Sequence, residues 1–258
     1  MRTHKSAPSH AVDISEEAGI RYLHFGSDWV QGAMRIARPW SLELAYTREM
    51  MAGLLLRGEA RWPRHALLIG LGAGSLAKFI YRYLPDCRIT VVEINPQVEY
   101  IARQYFKLPD DEHRLRVVIE DGADYMLRGD SRFDCILLDG FDAEARSGAL
   151  DTLPFYQACR ARLSDDGLLA VNLLGRERGY KASVERVRLA FDGRYAVFPS
   201  CDSGNTIAFA CAGKPVDTTL EAMRERAIEL KTATKLDLLP TLSRLQLGLS
   251  LPDGRLQI

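Results

Sequence analysis

The chain is expected to fold as an α/β protein. The reading is a seven-strand sheet of the doubly wound, nucleotide-binding kind, with a small N-terminal antiparallel β-domain before it and a C-terminal helical tail behind it. Three observations predict this. The stretch Ala66–Asn95, ALLIGLGAGSLAKFIYRYLPDCRITVVEIN, reads as strand, glycine loop, helix, strand and acid. Short apolar runs then alternate with segments of helical period as far as Cys211. Several of these runs finish on acids, at the strand ends where an open α/β sheet binds its ligands.

Residues 1–10 are polar. From Val12 to Ile36 apolar positions alternate, with turns at Gly19 and at Gly26-Ser27-Asp28, and Trp29-Val30-Gln31 leads into Met34-Arg35-Ile36. Pro39-Trp40-Ser41 introduces a helix carrying Leu42, Tyr46, Glu49, Met50 and Leu54 on successive turns. The expected units are residues 1–57 (β arm and helix), 58–214 (the nucleoside-binding sheet) and 215–258 (the helical tail).

In the central unit, Ala66–Ile69 is short and apolar, as a strand buried on both faces requires. Leu76, Phe79, Ile80 and Tyr83 give the next helix its inner face, Pro85-Asp86 ends it, and Ile89–Val92 is a strand closed by Glu93. Pro96 opens a helix facing inward with Val98, Ile101, Ala102 and Tyr105; its missing N–H has no helical partner to lose. Val117–Ile119 is a third strand, and Asp121 is placed to cap a short helix over 123–127. Phe133–Leu138 is a fourth strand. Thr152 caps a helix through Leu163, and Asp165-Asp166-Gly167 turns into a fifth strand, Leu168–Leu173. A helix over Tyr180–Phe191 and strands at Ala196–Phe198 and Thr206–Cys211 complete the sheet. Thr218-x-x-Glu221 reads as a capping box for the tail helix, whose apolar face is Leu220, Met223, Ala227 and Leu230.

The glycine loop discriminates among ligands. Gly70, Gly72 and Gly74 run G-x-G-x-G, and Ser75 stands where a dinucleotide fingerprint needs glycine. No Lys-Ser/Thr pair follows, so a triphosphate-binding loop is excluded. Glu93, nineteen positions beyond Gly74, can accept hydrogen bonds from both ribose hydroxyls. That pattern fits S-adenosylmethionine or a relative, which carries no phosphate.

Composition narrows the class. Lys+Arg and Asp+Glu both number 34, which leaves no global field for nucleic acid or an anionic membrane. Five scattered cysteines without a C-x-x-C pair argue against a disulfide framework and against a metal site. Met1–His10 lacks the apolar core of a signal peptide, and no run reaches membrane-spanning length, so a cytoplasmic protein is expected.

A lone strand-end Asp is commonly a turn or cap residue. Here Glu93, Asp121 and the pair Asp139 and Asp142 fall on successive strand ends, with the polar Asn172 after the fifth; like charges at one rim repel unless a ligand uses them. Glu93 suits a ribose, Asp121 with Gly122 an adenine amino group, and Asp139 and Asp142 the reacting end. The stretch Asp139–Asp151 also holds Glu144 against a single Arg146, which favours a cationic second substrate.

With LLIGLGAGS, VVEIN, IEDGADYM, FDCILLDGFD and PFYQACRARLSDDGLLAVN in place, the chain resembles the spermidine synthase family, the polyamine aminopropyltransferases. The resemblance is strongest over Ala66–Asn172 and extends to about Val12–Ala212. It implies a Rossmann-like, class I methyltransferase-type sheet and a homodimer. It also implies transfer of an aminopropyl group from decarboxylated S-adenosylmethionine (or use of S-adenosylmethionine itself) to a putrescine-like amine, without a metal. By resemblance Asp139 is the catalytic aspartate that takes the amine's proton, and Asp142, Gln31, Tyr46 and Glu49 lie on the amine side.

Departures from the family pattern fall on the transferred group. The family's glycine loop usually holds an Asp, for the donor's ammonium, where this chain has Ala73. Asn95 and Cys201 replace a family acid and a family tyrosine, and Thr47-Arg48 replaces Tyr-His, with Arg48 expected to repel a diamine. A methyltransferase, or a non-catalytic binder of adenosyl ligands, are the competing readings.

Overall fold

A computed structural model describes residues 12–26, 30–59, 61–141, 146–174, 179–200, 204–249 and 251–258. The N-terminal turn residues Ser27 and Asp28, Trp29, the proposed diamine ligand Asp142, its neighbour Glu144, and Cys201 lie outside the described residues.

Strands β1 (Val12–Glu17), β2 (Ile20–Phe25) and β3 (Val30–Arg35) form an antiparallel sheet in that order, as the alternation predicts. Ala18 and Gly19 both take positive φ in the two-residue turn between β1 and β2, the geometry that matches strand twist. The helix expected from Ser41 starts later and is broken: α1 is Ala45–Met50 and α2 is Gly53–Leu56. Residues from Arg48 to Leu55 make i→i+3 bonds, which tighten the chain where Gly53 meets Phe209 and Leu168.

The central sheet comprises β4 (His65–Ile69), β5 (Arg88–Glu93), β6 (Leu115–Ile119), β7 (Phe133–Leu138), β8 (Leu163–Leu174), β9 (Tyr195–Val197) and β10 (Asn205–Cys211). Its helices are α3 (Ser75–Tyr83), α4 (Pro96–Tyr105), α5 (Gly122–Arg128), α6 (Leu153–Ala161) and α7 (Tyr180–Ala190). Strand order is β6-β5-β4-β7-β8-β10-β9, the class I methyltransferase-type arrangement, with β10 antiparallel to both neighbours. Apolar clusters fill both faces of the sheet, so β4 and β7 are buried on either side.

Three local expectations need correction. The Asp165-Asp166-Gly167 turn lies inside β8, where the register with β7 jumps from Phe133↔Leu163 to Cys135↔Leu168. Asp134 stabilises the irregularity by accepting from Ser164 Oγ at 2.7 Å. Tyr105 is 46% exposed, and Val98 and Ala102 carry the inner face of α4. Thr219, not Thr218, caps the tail helix: the helix begins at Leu220, Thr219 Oγ1 accepts from Ala222 N–H at 3.1 Å, and the Thr218 hydroxyl accepts from Arg226 instead.

A strand pair, β11 (Asp217–Thr219) with β12 (Arg255–Gln257), brackets α8 (Leu220–Thr234) and α9 (Leu239–Gly248). The tail therefore holds a second helix and a strand pair besides the helix read from sequence. Met223, Ala227, Leu242 and Leu245 share a core with Met50 and Leu55. No helix among the described residues is long and apolar enough to cross a membrane. Cys87, Cys135, Cys159 and Cys211 are buried and unpaired.

Candidate active site

A cavity of about 450 Å³ opens at the carboxyl ends of β4, β5 and β7, where an open α/β sheet presents ligands. Gln31, Tyr46, Gly70, Gly72, Glu93, Asp121, Gly122 and Asp139 all line it. Gly74 and Glu49 do not. Gly74 takes φ 66° as the N-cap of α3, shaping the loop from behind. Glu49 is 2% exposed and turned to α9, where it pairs with Arg244 and accepts from Thr241.

One end of the cavity is built from close glycine backbone and two carboxylates. Gly70 has φ 96°, and a Cβ there would collide with the Asp139 carbonyl oxygen. Glu93, at the end of β5, is 7% exposed. Its Oε2 accepts from Leu71 N–H and its Oε1 from Asn95 N–H, both at 2.9 Å. Burial pushes its carboxyl up, opposed by the amides of Asn95, Leu71 and Ile94. At least one lone pair of this carboxylate stays open towards the cavity. Asp121 caps α5 through Oδ1, which accepts from Ala123 and Asp124 N–H at 2.8 and 3.1 Å, so the cap reading and cavity lining hold together. Ile94 and Leu150 add apolar wall, a contribution that no spacing in the sequence marks.

The other end centres on Asp139, immediately after β7. Its Oδ1 accepts from Asn172 Nδ2 at 2.8 Å, and Tyr46 on α1 adds a side-chain hydrogen bond. Burial pushes this carboxyl up, and the two hydrogen bonds pull against that rise. Burial, with the Asp139 carboxylate next, pushes the Tyr46 phenol well up, so it remains the donor. Asn205 Nδ2 donates to Asn172 Oδ1 at 2.8 Å. Asn205 was not singled out by sequence, and only the β8–β10 register reveals it.

Several charges are placed elsewhere than expected. Arg48 directs its guanidinium to the carbonyls of Leu42 and Glu43 at 3.1 and 2.8 Å and does not line the cavity, so the expected repulsion is relieved. Asp151 is tied to Tyr156, Ser183 and Arg186, which fixes the end of the loop after β7. Asn95 uses its side chain to cap α4. Among the described residues no group of three or more His, Cys, Asp or Glu could hold a metal ion.

The sheet order and the cavity at its carboxyl rim define a class I methyltransferase-type protein. A profile of the spermine/spermidine synthase domain matches residues 43–173. A polyamine aminopropyltransferase of Neisseria meningitidis is 41% identical over 226 residues, 88% of this chain and 85% of that protein. One from Chromobacterium violaceum is 41% identical over 85% of this chain and 83% of its own. The crystal structure of a probable spermidine synthase from Corynebacterium glutamicum shares the fold, with a TM-score of 0.72 at 17% identity over 86% of this chain and 85% of that one. The chain belongs to the spermine/spermidine synthase family and is a transferase.

Proposed function

We propose that this transferase moves an aminopropyl group from decarboxylated S-adenosylmethionine to a putrescine-like amine. The observation that carries the reading is Asp139, a half-buried carboxylate with two side-chain donors, on the same cavity as Glu93 and Asp121. Glycine backbone, the Glu93 carboxylate and the uncommitted Oδ2 of Asp121 suit ribose and adenine. The 41% identical relatives named polyamine aminopropyltransferase support the same reaction class.

In the transfer step the amine nitrogen attacks the methylene beside the sulfonium. The new N–C bond forms as the C–S bond breaks, and its electron pair neutralises sulfur in departing methylthioadenosine. An alkylammonium has a pKa of about 10, so the amine must shed a proton to react. Asp139 accepts that proton. Asp142, three positions on, is assigned the grip on the distal ammonium, with Gln31 and Tyr46 completing the amine side. The family resemblance adds a homodimer, and the unpaired cysteines suit a cytoplasmic setting.

Asp139→Asn tests the reading: transfer to putrescine, cadaverine or spermidine should be lost while methylthioadenosine still binds by calorimetry. Full turnover by that variant would sink the assignment. A second reading, methyl transfer from intact S-adenosylmethionine, is favoured by one observation. Position 73 carries no carboxylate, and its methyl is buried with Leu23, Met34 and Phe106. Tighter binding of S-adenosylmethionine than of its decarboxylated form would select it.

A further inference from the structure

Three neighbouring strands bring one polar side chain each to a single point on the rim. β7 and β8 run parallel and pair Leu138 with Val171, which sets Asp139 beside Asn172. β10 runs antiparallel to β8, pairing Ile207 with Asn172 and Asn205 with Leu174, so Asn205 lies diagonal to Asn172 on one face. Asn172 is 4% and Asn205 9% exposed, and the two 2.8 Å bonds link them in line with Asp139.

A primary amide has a donor end and an acceptor end, and the two occupy nearly the same shape. Packing alone therefore cannot decide which end of Asn172 faces Asp139. A reversed Asn172 would set its oxygen against the carboxylate and its NH₂ against the NH₂ of Asn205. The acceptor-only carboxylate of Asp139 on one side and the Asn205 NH₂ on the other together disfavour that arrangement, and Asn205 adds the second contact that pins the amide.

We propose that Asn205 is a positioning residue for the transfer reaction: by donating to Asn172 Oδ1 it fixes the amide that holds the Asp139 carboxylate ionised. The proposal rests on the reading of Asp139 as the group that takes the amine's proton. Among the described residues, the titratable and charged groups around Asp139 are few. Tyr46 bonds it from α1, Glu93 and Asp121 share its cavity from the ends of β5 and β6, and Arg146 lines the same cavity from the loop after β7. A neutral substitution at position 205 leaves all four in place.

The test is a direct titration of Asp139 by NMR in protein labelled with carbon-13 aspartate, with the resonance assigned by its loss in Asp139→Asn. Asn172→Ala should raise the Asp139 midpoint by about one pH unit, since it deletes a hydrogen bond to the charged form. Asn205→Ala should raise it in the same direction by a smaller step. Below the midpoint its transfer rate should fall in proportion to the lost carboxylate. Asn205→Leu, which keeps the volume, replaces Asn205→Ala should that variant not fold, and retained methylthioadenosine binding shows which variants fold. An Asp139 midpoint unmoved by either neutral change at 205 overturns the proposal, whatever Asn172→Ala does. A moved midpoint in a protein that transfers no aminopropyl group would sustain the positioning role while refuting the proposed function.

Discussion

A Cβ added to Gly32 would lie 2.6 Å from the Ala73 Cβ and 2.8 Å from the Ala73 amide nitrogen. β3 therefore rests on the glycine loop with only the Ala73 methyl between them. The family's usual acid cannot simply be restored here. Ala73 is 2% exposed in a cluster with Leu23, Met34 and Phe106, so Ala73→Asp would bury a charge against β3. The expected outcome is a loss of several kcal/mol, read as a lower urea midpoint, with no gain in affinity for the decarboxylated donor by calorimetry. Gly32→Ala should cost about 1–3 kcal/mol by overpacking the same contact.

The acid limb of the pH–rate profile should report Asp139. In the proposed reaction the carboxylate form is the base, and burial raises its titration from the ordinary value, so kcat/KM should fall as pH drops through that raised value. Tyr46→Phe removes one of the two hydrogen bonds that favour the charged form. The acid limb should then move to higher pH, with the plateau rate approached only in more alkaline buffer.

Lys78 on α3 is 1% exposed, and its Nζ donates to the Phe106 carbonyl at 2.7 Å. Burial, with Lys107 as a second cause, lowers its ammonium to about 7. An unfolded lysine titrates near 10.4, so between these values the unfolded chain binds more protons and stability rises with pH. Lys78→Met should stabilise the fold by about 1–3 kcal/mol at pH 7, an advantage that shrinks towards pH 10. Urea unfolding at the two pH values checks the sign.

Glu49 and Arg244 form a pair in which the carboxylate side chain is only 3% exposed. Arg244→Leu should cost about 3–5 kcal/mol, because it strands a buried charge. Glu49→Gln should leave the amine KM within about twofold of the parent, since Glu49 is absent from the cavity wall. A large KM increase without loss of stability would return Glu49 to the amine side.

Where a residue's partners lie close in sequence, the chain announced its structure. Phe133–Leu138 is a strand from end to end, Thr152 and Asp121 cap the helices they precede, and Gly70 and Gly72 bound the cavity. Distant partners decided the rest. Thr241, which hydrogen-bonds Glu49, is 192 residues away, so the turn of Glu49 away from the cavity has no local signature. Thr218 satisfies the capping-box spacing as well as any residue could, yet its hydroxyl is taken by Arg226 and the cap falls to Thr219. Asn205 looks like an ordinary strand-opening residue until β10 is set beside β8.

The reversed direction of β10 has a consequence for how this rim can vary. The parallel strands deliver their last residues to the ligand, whereas β10 delivers its first, Asn205. The stretch leading into β10 is thus upstream of the chemistry rather than downstream of it. On the proposed reading of Asp139, a change at Ser200, whose Oγ donates to the Asn205 carbonyl, would retune how that carboxylate is held while every crossover helix and every parallel strand stays as it is. On that reading, the hold on the Asp139 carboxylate and the contacts to the amine come from different strand ends, so the two can drift separately.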